Sequence, residues 1–205
     1  MMKKLLITST FLLIAALTSI AQTVELTPFA GYTFRSTKNY SAGWTRVNDG
    51  FTYGGALTIA PSPYNAIEIS YYRYETTAEA NTSYSGYEFF NGPVAMNYMF
   101  IGGQRLFPAS DKVTGFTGFN VGAGWMGSQD NKFNTMTKFA MGIDAGVKIM
   151  ASEKIGIRLQ TNLNFPIVGS GGSFYVGTGG SGVAMYGYVP VLSFGFTGGL
   201  IYKVK

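Results

Sequence analysis

From Ile155 to Gly169 the chain alternates without a slip. Ile155, Ile157, Leu159, Leu163, Phe165 and Ile167 share one parity, while Gly156, Arg158, Gln160, Asn162, Asn164 and Pro166 hold the other. A period of two with unlike faces predicts a β-strand. The pattern recurs in seven further segments. Val24 to Arg35 sets Val24, Leu26, Ala30, Tyr32 and Phe34 against Glu25, Thr27, Gly31, Thr33 and Arg35. Gly50 to Ala60 sets Phe51, Tyr53, Leu57 and Ile59 against Thr52, Gly54, Ala56 and Thr58. Ala66 to Glu75 opposes Ile67, Ile69 and Tyr71 to Glu68, Ser70 and Tyr72. In Gly92 to Phe107, Val94, Met96, Tyr98 and Phe100 read as the apolar side. Ala95, Asn97, Gly103 and Arg105 read as the other, with Met99 and Ile101 breaking its polarity.

Val113 to Gly127 places Phe119, Val121, Ala123 and Trp125 opposite Gly118, Asn120, Gly122 and Gly124, with Phe116 as the exception. Met136 to Met150 places Phe139, Met141, Ile143, Val147 and Ile149 opposite Lys138, Gly142, Asp144, Gly146 and Lys148. Val189 to Val204 places Leu192, Phe194, Phe196, Leu200 and Tyr202 opposite Ser193, Gly195, Thr197, Gly199 and Lys203. The links alternate as well. Pro61 to Asn65, Pro108 to Lys112 and Ala151 to Lys154 are short and turn-like, and the others are longer, the last of them running from Gly169 to about Gly187.

Eight segments of about ten residues with alternating short and long links predict an all-β, eight-stranded antiparallel up-and-down transmembrane β-barrel. Its short turns are periplasmic and its longer loops extracellular. Volume and composition decide which face meets which solvent. Charged residues are only 12% of the chain, against about a quarter in a soluble domain, and from Leu159 to Tyr202 there are none. A Gly-, Ser- and Thr-rich exterior with so few charges is a poor aqueous surface. The same residues suit the narrow interior of an eight-stranded barrel, so the apolar face is expected against lipid.

The first residues differ from the rest. Met1-Met2-Lys3-Lys4, the apolar run Leu5 to Leu17 and the small residues before Gln22 predict a secretory signal peptide over 1–21 and a barrel over 22–205, exported to the outer membrane. With no Cys and no His in the chain, Ser-His and Cys-His catalysis and zinc sites have no side chains to use. No enzymatic role, metal or cofactor is expected. Without Lys3 and Lys4 the 15 basic residues become 13 against 10 acidic, an excess too small to point to a nucleic-acid partner.

Two groups of residues are candidates for function. Glu25, Glu68, Arg105, Asp144, Lys148, Arg158 and Lys203 share the parity read as inward and are expected to form a charge plug toward the short-turn end. Tyr32, Phe34, Phe51, Tyr53, Tyr71, Trp125, Phe139 and Phe165 fall toward the opposite ends of their strands, as an interfacial aromatic girdle does.

With its leader, its eight alternating segments and stretches such as NYMFIGGQRLFPASDKVTGFTGFNVGAGW (Asn97 to Trp125), the chain resembles the small outer-membrane β-barrels of the OmpA, OmpX and OmpW type. It is most similar to the porin-family barrels of Bacteroidetes-like bacteria. It departs from them in ending Tyr202-Lys203-Val204-Lys205 rather than on an aromatic residue. The resemblance implies a lipid-embedded scaffold whose loops meet a surface or host partner, and a monomer is expected. Two other readings stand beside it. One is an OmpW-like channel for small solutes or hydrophobic molecules, lined by Phe29, Tyr72, Met99, Ile101 and Phe116; the other is a soluble, lipocalin-like carrier with the faces inverted.

Overall fold

The computed structural model describes residues 23–40, 43–82, 88–128, 136–166, 175–178, 181–184 and 192–204. The expected signal peptide lies outside them, as does most of the loop from Gly169 to Gly187. Twelve strands follow in order: β1 (Thr23–Thr33), β2 (Ser36–Tyr40), β3 (Gly43–Val47), β4 (Gly50–Ser62), β5 (Asn65–Thr82) and β6 (Glu88–Pro108). Then come β7 (Val113–Ser128), β8 (Met136–Met150), β9 (Ile155–Pro166), β10 (Tyr175–Thr178), β11 (Ser181–Ala184) and β12 (Ser193–Lys203).

Eight of these close on themselves in the order β1, β4, β5, β6, β7, β8, β9, β12, every pairing antiparallel. Glu25 opposite Lys203 joins the first strand to the last. The remaining strands form the β2–β3 hairpin and the β10–β11 hairpin, both on the long-loop side.

The three short turns share one device. Ser62 Oγ accepts from the amides of Tyr64 and Asn65, Ser110 Oγ from Lys112 and Val113, and Ser152 Oγ from Lys154 and Ile155. A serine that bonds the backbone two and three residues on reverses the chain tightly. Each turn in this way fixes the register of the two strands it joins.

Burial follows the expected parity on seven of the eight barrel strands. On β9 every even residue from Gly156 to Pro166 is buried, and every odd residue from Ile155 to Phe165 is exposed or half-buried. Leu200, Phe51, Leu159 and Phe196 each expose half or more of their area, and with their neighbours they give the barrel an apolar coat. Polar Thr27, Thr58, Asn120 and Gln160 are buried within it. An apolar coat around a polar interior is the surface of a chain that spans lipid. The soluble carrier with inverted faces is thereby overturned.

The exception is β6. Val94, Met96, Tyr98 and Phe100 are buried in the lumen, while Met99, Ile101, Gly103 and Arg105 face outward. Both parities of this strand carry large apolar residues together with polar ones, Asn97 and Arg105 on one and Gln104 on the other, so the balance of polarity does not choose between them. Volume does. Beside this strand, β7 and β8 present Gly124 and Gly142 to the lumen, and the Tyr98 and Phe100 rings of β6 fill that space. A Cβ at Gly124 would lie 2.9 Å from the Tyr98 ring, and one at Gly142 would lie 3.5 Å from the Phe100 ring.

Candidate functional site

The lumen is the site that the fold builds, and it is layered. Nearest the short turns, Ala66, Leu106 and Phe116 form a small apolar cluster. Beside it Lys148 Nζ donates to Glu25 Oε2 at 2.6 Å. The next layer is polar. Arg158 donates through Nη1 to Glu68 Oε2 at 2.5 Å and through Nη2 to Oε1 at 3.1 Å. Thr58 and Gln104 also donate to Glu68 Oε2, at 2.7 and 2.8 Å. Asn120 donates to Asp144 at 2.5 Å, and the Arg158 guanidinium lies 4.5 Å over the Phe116 ring. Toward the long loops, Phe29, Tyr72, Tyr98, Phe100, Tyr74 and Met96 form a larger apolar cluster.

Three contacts cross the full width of the lumen, between strands four places apart in the eight-membered ring. Glu68 on β5 meets Arg158 on β9, and Tyr72 on β5 accepts from Gln160 Nε2 on β9 at 3.0 Å. Tyr98 on β6 meets Ser193 on β12 at 3.3 Å. A bidentate guanidinium–carboxylate pair is geometrically selective as well as strong. In a water-poor interior neither partner is tolerated alone.

Of the seven expected plug residues, five are buried in the lumen: Glu25, Glu68, Asp144, Lys148 and Arg158. Lys203 is half-buried in register with Glu25. Arg105 is not in the lumen. It lies on the exposed face of β6, donating to Asn65 Oδ1 at 3.0 Å with its guanidinium 5.7 Å over the Tyr64 ring. Met99 and Ile101, offered as lining for a channel, also lie outside, whereas Phe29, Tyr72 and Phe116 are inside. Both corrections follow from the inverted facing of β6. Gln104 on the same strand was missed for that reason, although its polar amide at inward parity was a usable sign.

The eight girdle aromatics all lie on the outer face near the long loops. Tyr32, Phe34, Phe51, Tyr53 and Phe139 are exposed, and Tyr71, Trp125 and Phe165 are half-buried. Phe194 and Phe196 extend the belt, packing on Phe34 with ring centroids 5.9 Å away. Exposed Tyr64, Phe107 and Tyr202 stand at the short-turn end. That second belt was not anticipated.

Beyond the belt, β5 and β6 continue past their other neighbours. β4 leaves β5 at Glu75, and β7 leaves β6 at Val94. From there Thr76 to Thr82 pairs with Glu88 to Pro93 and Val94, while β3 and β2 add to the other side. The result is a four-stranded sheet that projects about 23 Å, at about 3.3 Å per residue.

The projecting sheet is rooted in the barrel. Val47 and Ala78 are buried, and Tyr74 Oη and Thr76 Oγ1 both donate to the Asn48 carbonyl. The Tyr32 hydroxyl donates to Asp49, which holds the Asp49 carboxyl below the usual carboxylate range. Higher up, Arg46 lies over Trp44 at 4.7 Å and pairs with Glu79 at 3.3 Å.

The chain matches no protein-family profile and no curated sequence. Its likeness is to solved structures. Neisserial surface protein A (NspA) is 13% identical over 88% of this chain and 96% of its own, with a TM-score of 0.58. The outer membrane protein OprG from Pseudomonas aeruginosa is 8% identical over 89% of this chain and 96% of its own, with a TM-score of 0.61. The chain has the fold of the small bacterial outer-membrane β-barrels.

Proposed function

We propose that the protein resides in the outer membrane as a closed barrel, delivered there by a signal peptide over 1–21, and that it displays its projecting sheet to an external partner rather than conducting solutes. The observation that carries this reading is the set of three contacts across the lumen: Glu68 to Arg158, Tyr72 to Gln160 and Tyr98 to Ser193. They tie opposite walls together at three heights, and apolar clusters lie to either side of the polar layer. Rings of charge select ions only where the pore between them is open.

This reading assigns the lumen no catalytic step. The buried charges are engaged in ion pairs or hydrogen bonds within the barrel, and the chain has neither Cys nor His. What reaches the outside is the sheet of β2, β3, β5 and β6, whose outer edge, β2, leaves its far side without a strand partner among the described residues. Such an edge accepts an added strand.

Planar-bilayer recording from the purified full-length protein tests the reading. No discrete current steps are expected. Reproducible single-channel currents would replace the display role with a channel.

A further inference from the structure

The polar layer of the lumen carries more hydrogen-bonding atoms than the protein satisfies. On the wall formed by β8, β9 and β12, Asp144 Oδ1, Asn162 Nδ2, Gln160 Oε1 and Thr197 Oγ1 are all buried without a partner. Asp144 is the register partner of Asn162, and Gln160 that of Thr197. Gln160 and Asn162 are two apart on the same face of β9. Cross-strand side chains start about 5 Å apart, and neighbours along one face about 7 Å. The four residues therefore line one band of the lumen over three adjacent strands, with the Asp144 carboxylate leaning over Gly118 on β7, 2.7 Å from where a Cβ there would lie. Arg158 Nε, the next inward position on β9, is unpartnered as well.

The chemistry of the patch is mixed. Asn162 Nδ2 and Arg158 Nε donate, Asp144 Oδ1 and Gln160 Oε1 accept, and the Thr197 hydroxyl does either. A bare cation would be repelled by the two donors. A water molecule serves both kinds and makes about three bonds when buried. Asp144 sharpens the demand. Among the described residues it is the buried lumen carboxylate with no ion pair, holding one hydrogen bond, from Asn120. A buried carboxylate requires donors around its free lone pairs.

We propose that the polar layer is a built water site, in which a small cluster of waters enclosed between the two apolar clusters bridges Asp144, Asn162, Gln160 and Thr197. This rests on the closed lumen proposed above. Phe29, Tyr72 and Phe100 close the site toward the loops, and Leu106 and Phe116 close it toward the turns. The waters solvate Asp144 without opening a path through the barrel.

The full-length protein, crystallised from rubidium chloride and labelled in parallel for NMR in detergent micelles, tests the site. Density for waters touching Asp144 Oδ1 and Thr197 Oγ1 is expected, together with long-lived water cross-peaks to the Asn162 side-chain amide. A direct bond from Asn162 Nδ2 or Arg158 Nε to Asp144 Oδ1, with no water between, would overturn it. So would an anomalous rubidium peak at Asp144, or water exchanging as fast as bulk. Bilayer currents from the same preparation separate the two proposals. Currents would remove the display role and the enclosure of the waters together, whereas a silent barrel with no water at Asp144 would overturn the water site alone.

Discussion

Arg158 grips Glu68 from the opposite wall of the barrel, ninety positions away in the chain, with both terminal guanidinium nitrogens on one carboxylate. The two side chains are 1% and 0% exposed. Removing one partner strands the other charge in a closed interior, and the cost of such a change is about 3–5 kcal/mol. Arg158→Ala is therefore expected to lower the urea midpoint of the detergent-solubilised barrel sharply. The double variant Glu68→Leu, Arg158→Met removes both charges and is expected to regain most of that loss. An Arg158→Ala barrel as stable as the wild type would mean that the pair holds nothing together.

The outer coat is tested on Val147 and Leu159, which oppose each other on β8 and β9 and face away from the lumen. Arginine at the middle of a lipid-facing strand costs about 2–4 kcal/mol. Leu159→Arg and Val147→Arg should each reduce the fraction that keeps heat-resistant barrel migration in detergent gels and lower the unfolding midpoint in liposomes. Unchanged migration and midpoint for both would place these residues away from lipid.

How far the sequence reaches is clearest on β6. On seven strands the large apolar residues gather on one parity and the small and polar ones on the other, so hydropathy orients them, and Glu25, Glu68, Asp144, Lys148 and Arg158 follow as lumen residues. The strand from Gly92 to Phe107 carries large apolar residues on both parities and polar ones on both, Asn97 and Arg105 against Gln104, and its facing is set by Gly124 on β7 and Gly142 on β8. That information is one of volume shared between neighbouring strands, which a period of two does not express. The projecting sheet was hidden for a related reason. Thr76 to Thr82 continues a strand whose new partner, β3, lies in what reads as a loop.

Because the chain has no Cys, single introduced cysteines report the facing of β6 directly. Ile101→Cys and Met99→Cys are expected to react with a membrane-soluble maleimide in liposomes. Phe100→Cys, whose parent side chain is 1% exposed, is expected to stay unmodified until the barrel is unfolded. The opposite order of reactivity would restore the facing that hydropathy suggested and return Arg105 to the lumen.

The pH dependence of the projecting sheet turns on Asp49. Its carboxyl is held below the usual range, first by the Tyr32 hydroxyl, so the tie is complete above the ordinary carboxylate range and is lost as the pH falls through the lowered value. Hydrogen exchange at the amides of β3 is expected to quicken across that acid interval, while the amides of β8 and β9 stay protected. In Asp49→Asn the acid step should disappear. An acid step that persists in the variant would assign it to another group.

Ring packing against glycine gives the sharpest test of why the lumen closes. Tyr98 is stacked on Phe100 with ring centroids 5.6 Å apart and planes 8° from parallel, and its hydroxyl reaches Ser193. It is held on two sides and has little freedom to retreat. A Cβ at Gly124 would press on this ring at 2.9 Å and on the Ala140 methyl at 3.4 Å. Overpacking of a filled interior typically costs about 1–3 kcal/mol. Gly124→Val is expected to destabilise the barrel by that order in urea titrations. Adding Tyr98→Ala to it should cost less than Tyr98→Ala costs in the wild type, because the ring's space is then partly refilled. Additive losses from the two substitutions would show that Gly124 is not there to admit the Tyr98 ring.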